Sequence, residues 1–243
     1  MMSEPTTLSD LRRRVEVASA QRYARGSTAE RFRELLVSGV QALDAGSYGI
    51  AAAFVVRDRG RELTFVGRNT IAGGDPAGHA EVNAIRTAAR VLALPSDGAR
   101  IRALTHLEAE GDITVRECSS DHHETVLYST LEPCPMCTVA TINAGIGRVV
   151  YAHEDPVAGA LAEPRLQRLA PIWHQLATTI GLRVVGCQSA DDGNEESYVP
   201  AELSELLDEL FTASRHQLDD ALAEGGFFNP YLLARLSPGA PPS

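Results

Sequence analysis

Two short stretches decide how this chain folds: His79-Ala80-Glu81 and, later in the chain, Pro133-Cys134-Pro135-Met136-Cys137. Each is predicted to begin a helix. Cys134 and Cys137 stand at i and i+3, so both sulfur atoms share one face of a helix that begins at about Cys134. The two prolines agree with that position, because proline is tolerated before and within a first turn but not in a helix interior. The first stretch leads into apolar residues at helical spacing, namely Val82, Ile85, Ala88, Ala89 and Leu92.

These two helix beginnings carry one imidazole and two thiols, all of which are ligands that Zn²⁺ prefers. His79, Cys134 and Cys137 supply three ligands, and three leave the fourth tetrahedral position open for water, as in a catalytic zinc site. Thiolates at a helix N-terminus also gain from the positive end of the helix dipole, which lowers their pKa. Residues two apart on a helix diverge by about 200°. His79 and Glu81 can therefore serve one site only if the metal lies off the helix end.

The same residues suggest a reaction. Zinc lowers the pKa of bound water from about 16 to about 7, so hydroxide is available at neutral pH. Such a hydroxide can attack a ring carbon that bears an exocyclic amine. A carboxylate that is not a ligand can then carry protons to a ring nitrogen and to departing ammonia, and we assign this catalytic role to Glu81. The pattern His-x-Glu followed by Pro-Cys-x-x-Cys is the general signature of zinc-dependent deaminases of bases.

Simpler interpretations of the motif are a redox Cys-x-x-Cys pair and a closed structural zinc. A structural site needs a fourth Cys or His nearby, and the candidates, Cys118, His122 and His123, lie in a polar, loop-like stretch. A second metal site at His122 and His123 is a further alternative, although adjacent histidines on an extended chain point to opposite faces. The agreement of motif, context and flanking periodicity favours the catalytic site.

The chain also resembles a known group of enzymes. Residues 75–86 and 130–137 are similar to the cytidine deaminase superfamily, and most similar to its branch of guanine, cytosine and tRNA adenosine deaminases. Gly67-Arg68-Asn69 matches the Gly-x-Asn of that family, whose asparagine contacts the substrate ring. Asn69 is therefore a substrate-binding candidate, and a turn asparagine is the alternative.

This resemblance implies a cytidine deaminase-like fold, one zinc per chain, a backbone contact from Ala80 to the substrate and a homo-oligomer, most simply a dimer. It spans roughly residues 30–187. We therefore expect an N-terminal helical extension (1–27), a zinc-dependent deaminase domain (28–189) and a C-terminal helical extension (190–243). Residues 95–124 form a long insertion, and Asn83 stands where a hydrophobic residue, Thr or Met is common. These departures leave the chemistry intact and the substrate open.

The composition indicates the class of protein. With 243 residues and 44% hydrophobic content, the chain can bury one substantial core. No apolar stretch reaches the roughly 18 residues that span a membrane, and the first residues lack the pattern of a secretory signal. Zinc accounts for two of the four cysteines, which leaves no disulfide framework. We therefore expect a cytoplasmic protein.

The charge bears on the partner. The formal net charge is −10 and the sequence pI is about 5.2, whereas proteins that bind nucleic acid normally show a basic footprint. A dense basic cluster, Arg12-Arg13-Arg14, lies with Arg22 and Arg25 on a predicted N-terminal helix. A solvated helix face, or ion pairs with acidic segments of the same chain, explains that cluster. The acidity favours a small-molecule substrate over nucleic acid.

Hydrophobic periodicity predicts the order β-β-α-β-α-β-α-β, preceded by two helices that end near Arg25 and Gly46. The predicted strands are 50–56, 63–66, 126–129, 148–152 and 183–187, and the later helices include 134–144 and 163–180. This order indicates an α/β fold, a three-layer α/β/α sandwich around a five-stranded central sheet. The insertion has room for a short strand at 113–116. The metal motifs fall just beyond strand ends, where open α/β sheets bind ligands.

The C-terminal part has two predicted features. Residues 202–223 form an amphipathic helix with apolar positions at Leu203, Leu206, Leu207, Leu210 and Phe211. Beyond it lies Phe227-Phe228-Asn229-Pro230-Tyr231, which either anchors the tail to the core, as aromatic side chains mostly do, or forms a lid over the pocket. Trp173, among Leu166, Leu169 and Leu176, is expected in the core.

Taken alone, the sequence therefore predicts a zinc-dependent hydrolytic deaminase of a free nucleobase, a nucleoside or a related amino-heterocycle. Guanine is the favoured substrate, and a cytosine or aminotriazine ring fits the same chemistry. Two alternatives stay open. One is a tRNA adenosine (wobble) deaminase, and the other is a non-catalytic zinc-binding module used in assembly.

Overall fold

The computed structural model describes residues 7–118, 122–162, 165–187 and 198–223, in which helices and strands follow one another first in pairs and then singly. The elements are α1 (Leu8–Ser19), α2 (Thr28–Asp44), β1 (Ala51–Asp58), β2 (Arg61–Arg68), α3 (Ala80–Leu92), α4 (Asp97–Glu110), β3 (Ile113–Glu117), β4 (Glu124–Leu131), α5 (Pro135–Asn143), β5 (Arg148–His153), α6 (Pro171–Thr179), β6 (Arg183–Gly186) and α7 (Ala201–Ala223). None of the helices in those ranges is both long and apolar enough to cross a membrane.

The strands form one mixed sheet in the order β3-β2-β1-β4-β5-β6. The pairs β3–β2, β2–β1 and β1–β4 are antiparallel, and the pairs β4–β5 and β5–β6 are parallel. The prediction of a five-stranded sheet was wrong, because the insertion contributes a sixth strand, β3, which pairs with β2. Ile113 is buried at the start of β3 and pairs with Phe65. A strand edge that would otherwise lie open is thereby covered.

Two hydrophobic cores lie on opposite faces of the sheet, which gives three layers. Strand β1 shows why, since its first six residues are buried and alternate between the two faces. Ala51, Ala53 and Val55 belong to the core under α1, α2 and α7. The other core lies under α3 and α4 and includes Ala52, Phe54 and Val56 from the same strand.

Some helices begin or end at other residues than the sequence predicted. Helix α1 begins after Thr7, whose side chain accepts a hydrogen bond from the Asp10 backbone, and it ends at Ser19, earlier than the predicted Arg25. Helix α6 begins at Pro171, well after the predicted residue 163, since proline is favoured at a first helical position. Trp173 on α6 is only partly buried, against a small cluster of Ile142, Leu166 and Ala177. The aromatic run 227–231 lies outside the described residues.

The position of α3 depends on a glycine at the end of β2. A Cβ atom on Gly67 would lie 2.0 Å from the carbonyl oxygen of Ala80 and 2.4 Å from the nitrogen of Ala84. Only glycine permits an approach this close between a strand and a helix. The first turn of α3, with His79 and Glu81, is thus held directly against the strand that leads to Asn69.

Candidate metal centre and active site

The three predicted metal ligands meet at two helix N-termini. His79 is the N-cap residue of α3 and Cys134 is the N-cap residue of α5, with Pro135 at the first helical position. Neither N-cap side chain makes the usual hydrogen bond to its own helix. Both side chains turn instead toward Cys137, which lies one turn into α5. The expectation that a metal would lie off the end of α3 agrees with this arrangement.

The spacing of the donor atoms fits a tetrahedral zinc. Cys134 Sγ lies 3.5 Å from Cys137 Sγ and 3.6 Å from His79 Nδ1, and Cys137 Sγ lies 3.4 Å from the same nitrogen. Zinc–sulfur bonds of about 2.3 Å and zinc–nitrogen bonds of about 2.0 Å at tetrahedral angles place such atoms about 3.5 to 3.8 Å apart. These residues can therefore hold zinc through three ligands. Among the described residues no other His, Cys, Asp or Glu group of this kind occurs, and the exposed His122 and His123 belong to none.

The thiols interact strongly with each other. The hydrogen bond with Cys137, assisted by His79, lowers the pKa of Cys134 to about 4, although burial opposes the change. The same hydrogen bond and burial raise the pKa of Cys137, because a second thiolate beside the first would be poorly solvated. The hydrogen bond with Cys134 raises the pKa of His79. A bound divalent cation would favour both thiolates, which is the form that binds metal.

Glu81 lies beside this cluster and is not one of its ligands. Its side chain is buried, and burial raises the pKa of its carboxyl group. Oε2 lies 3.3 Å from Cys137 Sγ, and Oε1 accepts a hydrogen bond of 3.1 Å from the hydroxyl of Ser129. The site thus brings together three potential ligands and one separate carboxyl group.

A cavity of about 390 Å³ opens onto this cluster. That volume is within the range of pockets for small ligands. His79, Glu81 and Cys134 line it, together with Asn69. The rest of the lining is mainly apolar or aromatic and includes Tyr48, Ile50, Ile71, Leu131, Val157 and Phe211.

Asn69, the substrate-binding candidate, is buried and lines this cavity. Its Oδ1 accepts hydrogen bonds from the Ser47 hydroxyl at 2.7 Å and from the Ile71 backbone at 3.2 Å. An amide whose oxygen is held in this way leaves its NH₂ group to act as a donor. Asn83, the unusual residue of α3, donates to the carbonyl of Arg68 and to Thr70 Oγ1 and so fixes both neighbours of Asn69.

Ala80 is buried at the first position of α3, with its side chain in the core beneath the helix. Its side chain is not part of the cavity lining. Because the first N–H groups of a helix lack partners within the helix, its backbone can still serve a ligand at the helix end. The contact of Ala80 with substrate stays a prediction.

Sequence reasoning missed the residues that shape the far side of the cavity. Glu132 is buried, and its Oε1 accepts hydrogen bonds from the backbone of Leu161 and Ala162. Its Oε2 accepts one from the backbone of Asp155, so the loop after β5 is folded around this carboxylate. Phe211 reaches the cavity from α7, although hydrophobic periodicity predicted only a packing role for it. The Glu-Pro-Cys triplet was the available signal for Glu132, whereas no local signal marked Phe211.

The comparison with known families agrees with this geometry. Residues 27–153, about half of the chain, match the family described as the cytidine and deoxycytidylate deaminase zinc-binding region. The match includes Glu81 and all three of the predicted metal ligands. The chain belongs to this family.

Individual relatives share parts of the same region. The chain is 34% identical over 129 residues to tRNA(Ile)-lysidine synthase of Deinococcus radiodurans, which is 53% of this chain and 18% of that protein. It is 32% identical over 114 residues to guanine deaminase of Bacillus subtilis, which is 47% of this chain and 56% of that one. It is 38% identical over 78 residues to tRNA-specific adenosine deaminase of Agrobacterium fabrum, which is 30% of this chain and 50% of that one. The chain thus spans from under a fifth to a little over half of the length of these relatives.

Proposed function

We propose that this protein is a zinc-dependent hydrolytic deaminase of a free nucleobase, a nucleoside or a related amino-heterocycle, with guanine as the favoured substrate. The observation that carries the proposal is Glu81. A carboxyl group is buried beside three zinc ligands, opens onto a cavity and is not itself part of the ligand set. Burial of such a group is costly, and a purely structural zinc site has no use for it. The non-catalytic zinc module therefore has less support.

The residues of the chain divide the chemistry between them. His79, Cys134 and Cys137 would hold a zinc ion, which would supply an activated water at neutral pH. Glu81 would take up the two protons of that water one after the other as its oxygen adds to the ring, and would pass the first to the ring nitrogen and the second to the leaving ammonia. Burial favours the protonated form of this carboxyl group, so it can act as an acid as well as a base.

The cavity supports a small planar substrate. Its apolar and aromatic walls suit a ring that is largely desolvated, and Asn69 provides a fixed polar contact for the ring edge. The similarity to guanine deaminase of Bacillus subtilis adds support for a purine base. The same apolar walls also suit a cytosine-type ring. An assay of ammonia release from several substrates therefore identifies the ring.

A tRNA substrate is the second candidate, because the names of two of the relatives refer to tRNA. The charge argues against it. Arg12 pairs with Asp44 at 2.5 Å, and Arg14 pairs with Glu209 at 2.6 Å, so much of the N-terminal basic cluster is neutralised within the chain. Arg13 likewise pairs with a neighbouring acid on α1. The net charge of −10 leaves little attraction for phosphates.

We expect tRNA to bind this protein no more tightly than about 10⁻⁴ M at physiological salt, because non-specific binding depends on neutralised phosphates. Fluorescence anisotropy with a labelled anticodon stem-loop, measured over a salt series, checks this. A sub-micromolar complex that weakens with salt would instead favour the tRNA-editing function.

The test of the proposed function is ammonia release from a panel of substrates. The panel contains guanine, cytosine, adenine, their nucleosides, an aminotriazine and a tRNA anticodon stem-loop. Wild-type protein is expected to release ammonia from a free base or nucleoside, with guanine first. Turnover of the stem-loop alone would identify tRNA as the substrate. If no compound of the panel released ammonia, the proposal would be contradicted. A cytoplasmic location and a homodimer stay predictions.

A further inference from the structure

A hydroxyl group, that of Ser129 on β4, lies on the apolar face of the sheet that packs against α3. Its side chain is completely buried. Alternate residues of a strand share a face, and the neighbours of Ser129 on its own face are Leu127 and Leu131. Across the sheet it pairs with Ala52 on β1 and Tyr151 on β5. One polar group therefore interrupts an otherwise apolar strip, and it does so directly under the first turn of α3.

The contact that this hydroxyl makes is specific. Ser129 Oγ donates to Glu81 Oε1 at 3.1 Å, while Glu81 Oε2 lies against Cys137 Sγ. The sheet thus holds one oxygen of the carboxylate through a hydrogen bond, while the other oxygen lies beside α5 at the ligand set. The next hydroxyl along this strand, that of Thr130, is also buried but serves the backbone, since it accepts a hydrogen bond from the Ala51 nitrogen.

We propose that Ser129 is a positioning residue that fixes the carboxylate of Glu81 for proton transfer; this rests on the proposed function. A glutamate side chain has three rotatable bonds and loses rotamer freedom when it is ordered. Proton transfer requires the carboxylate oxygen to lie within about 2.6–3.2 Å of its partner. The hydrogen bond from Ser129 restricts the carboxylate to one position. Because Ser129 is not a metal ligand, its loss should affect turnover and not metal binding.

The test compares Ser129→Ala with a matched control, Thr130→Ala, which removes a buried hydroxyl from the opposite face of the same strand. Ser129→Ala is expected to lower kcat by about 10- to 100-fold, which corresponds to the usual contribution of a hydrogen bond to a charged group. KM and zinc content should stay within about twofold of wild type, because Ser129 is neither a ligand nor part of the cavity lining. Thr130→Ala is expected to affect stability more than kcat.

A double variant separates positioning from general damage. In a Glu81→Gln background, Ser129→Ala should change kcat by less than about twofold, since the group it positions no longer transfers protons. The same loss in both backgrounds, unchanged kcat in Ser129→Ala, or an equal kcat loss in Thr130→Ala would each overturn the proposal.

A crystal structure of Ser129→Ala gives a readout that does not depend on turnover. We expect the Glu81 carboxylate to leave its place beside Cys137 or to occupy more than one rotamer. A carboxylate that keeps its place within about 0.5 Å overturns the positioning role. If wild-type protein turns over nothing in the panel, the proposed function fails, and this crystal structure still decides the role of Ser129.

Discussion

Replacement of Glu81 by glutamine is expected to lower kcat by about 10²–10⁴-fold or more while the protein keeps its zinc and its fold. Glutamine has nearly the same size as glutamate and can accept the hydrogen bond from Ser129, but it cannot carry a proton. Glu81 is also outside the ligand set, so zinc should stay bound. Steady-state ammonia release, zinc content by atomic absorption and a thermal melt measure the three quantities.

A control variant for this experiment is Glu108→Gln, which changes an exposed carboxylate on α4. It should match wild type in all three measurements. Near-normal turnover in Glu81→Gln would rule out the proton-shuttle role. A loss of zinc in that variant would mean that Glu81 serves the metal and not the substrate.

Removal of a metal ligand is expected to have the second large effect. The wild-type chain should carry close to one zinc, because the described residues contain one complete ligand set. Cys134→Ala or His79→Ala leaves two ligands, so zinc content should fall toward zero after dialysis against a mild chelator. The melting temperature should fall too, since the free energy of metal binding contributes to folding.

The matched control is Cys118→Ala, which replaces a cysteine that lies outside the ligand set. It should keep one zinc per chain. Full zinc occupancy in a Cys134→Ala, Cys137→Ala double variant would show that the ligands are assigned wrongly.

The metal centre could be predicted from the sequence because its parts are local. The i, i+3 spacing of Cys134 and Cys137 and the helix-starting prolines determine the geometry of α5 without reference to the rest of the chain. His79 and Glu81 likewise lie within one turn of α3. One long-range fact, that α3 and α5 begin side by side, came from the family resemblance.

The remaining features depend on tertiary contacts. Strand β3 was missed as a sheet member because five residues with one buried apolar side chain, Ile113, give no strong periodic signal. Ser129 looks like any strand serine until Glu81 is placed above it. Phe211 fits the apolar face of α7 by periodicity, and only the packing of α7 shows that it lines the cavity. Such roles are set by which elements pack together, which periodicity does not specify.

Zinc titration tests the central claim, that this site is a zinc-dependent deaminase centre, most directly. Protein stripped by a chelator receives zinc in steps, and bound zinc and ammonia release from the best substrate of the panel are measured on the same samples. We predict that ammonia release rises in proportion to bound zinc and reaches its plateau at one zinc per chain. Ammonia release that persists in the stripped protein, or that stays absent at full zinc occupancy, would contradict the account.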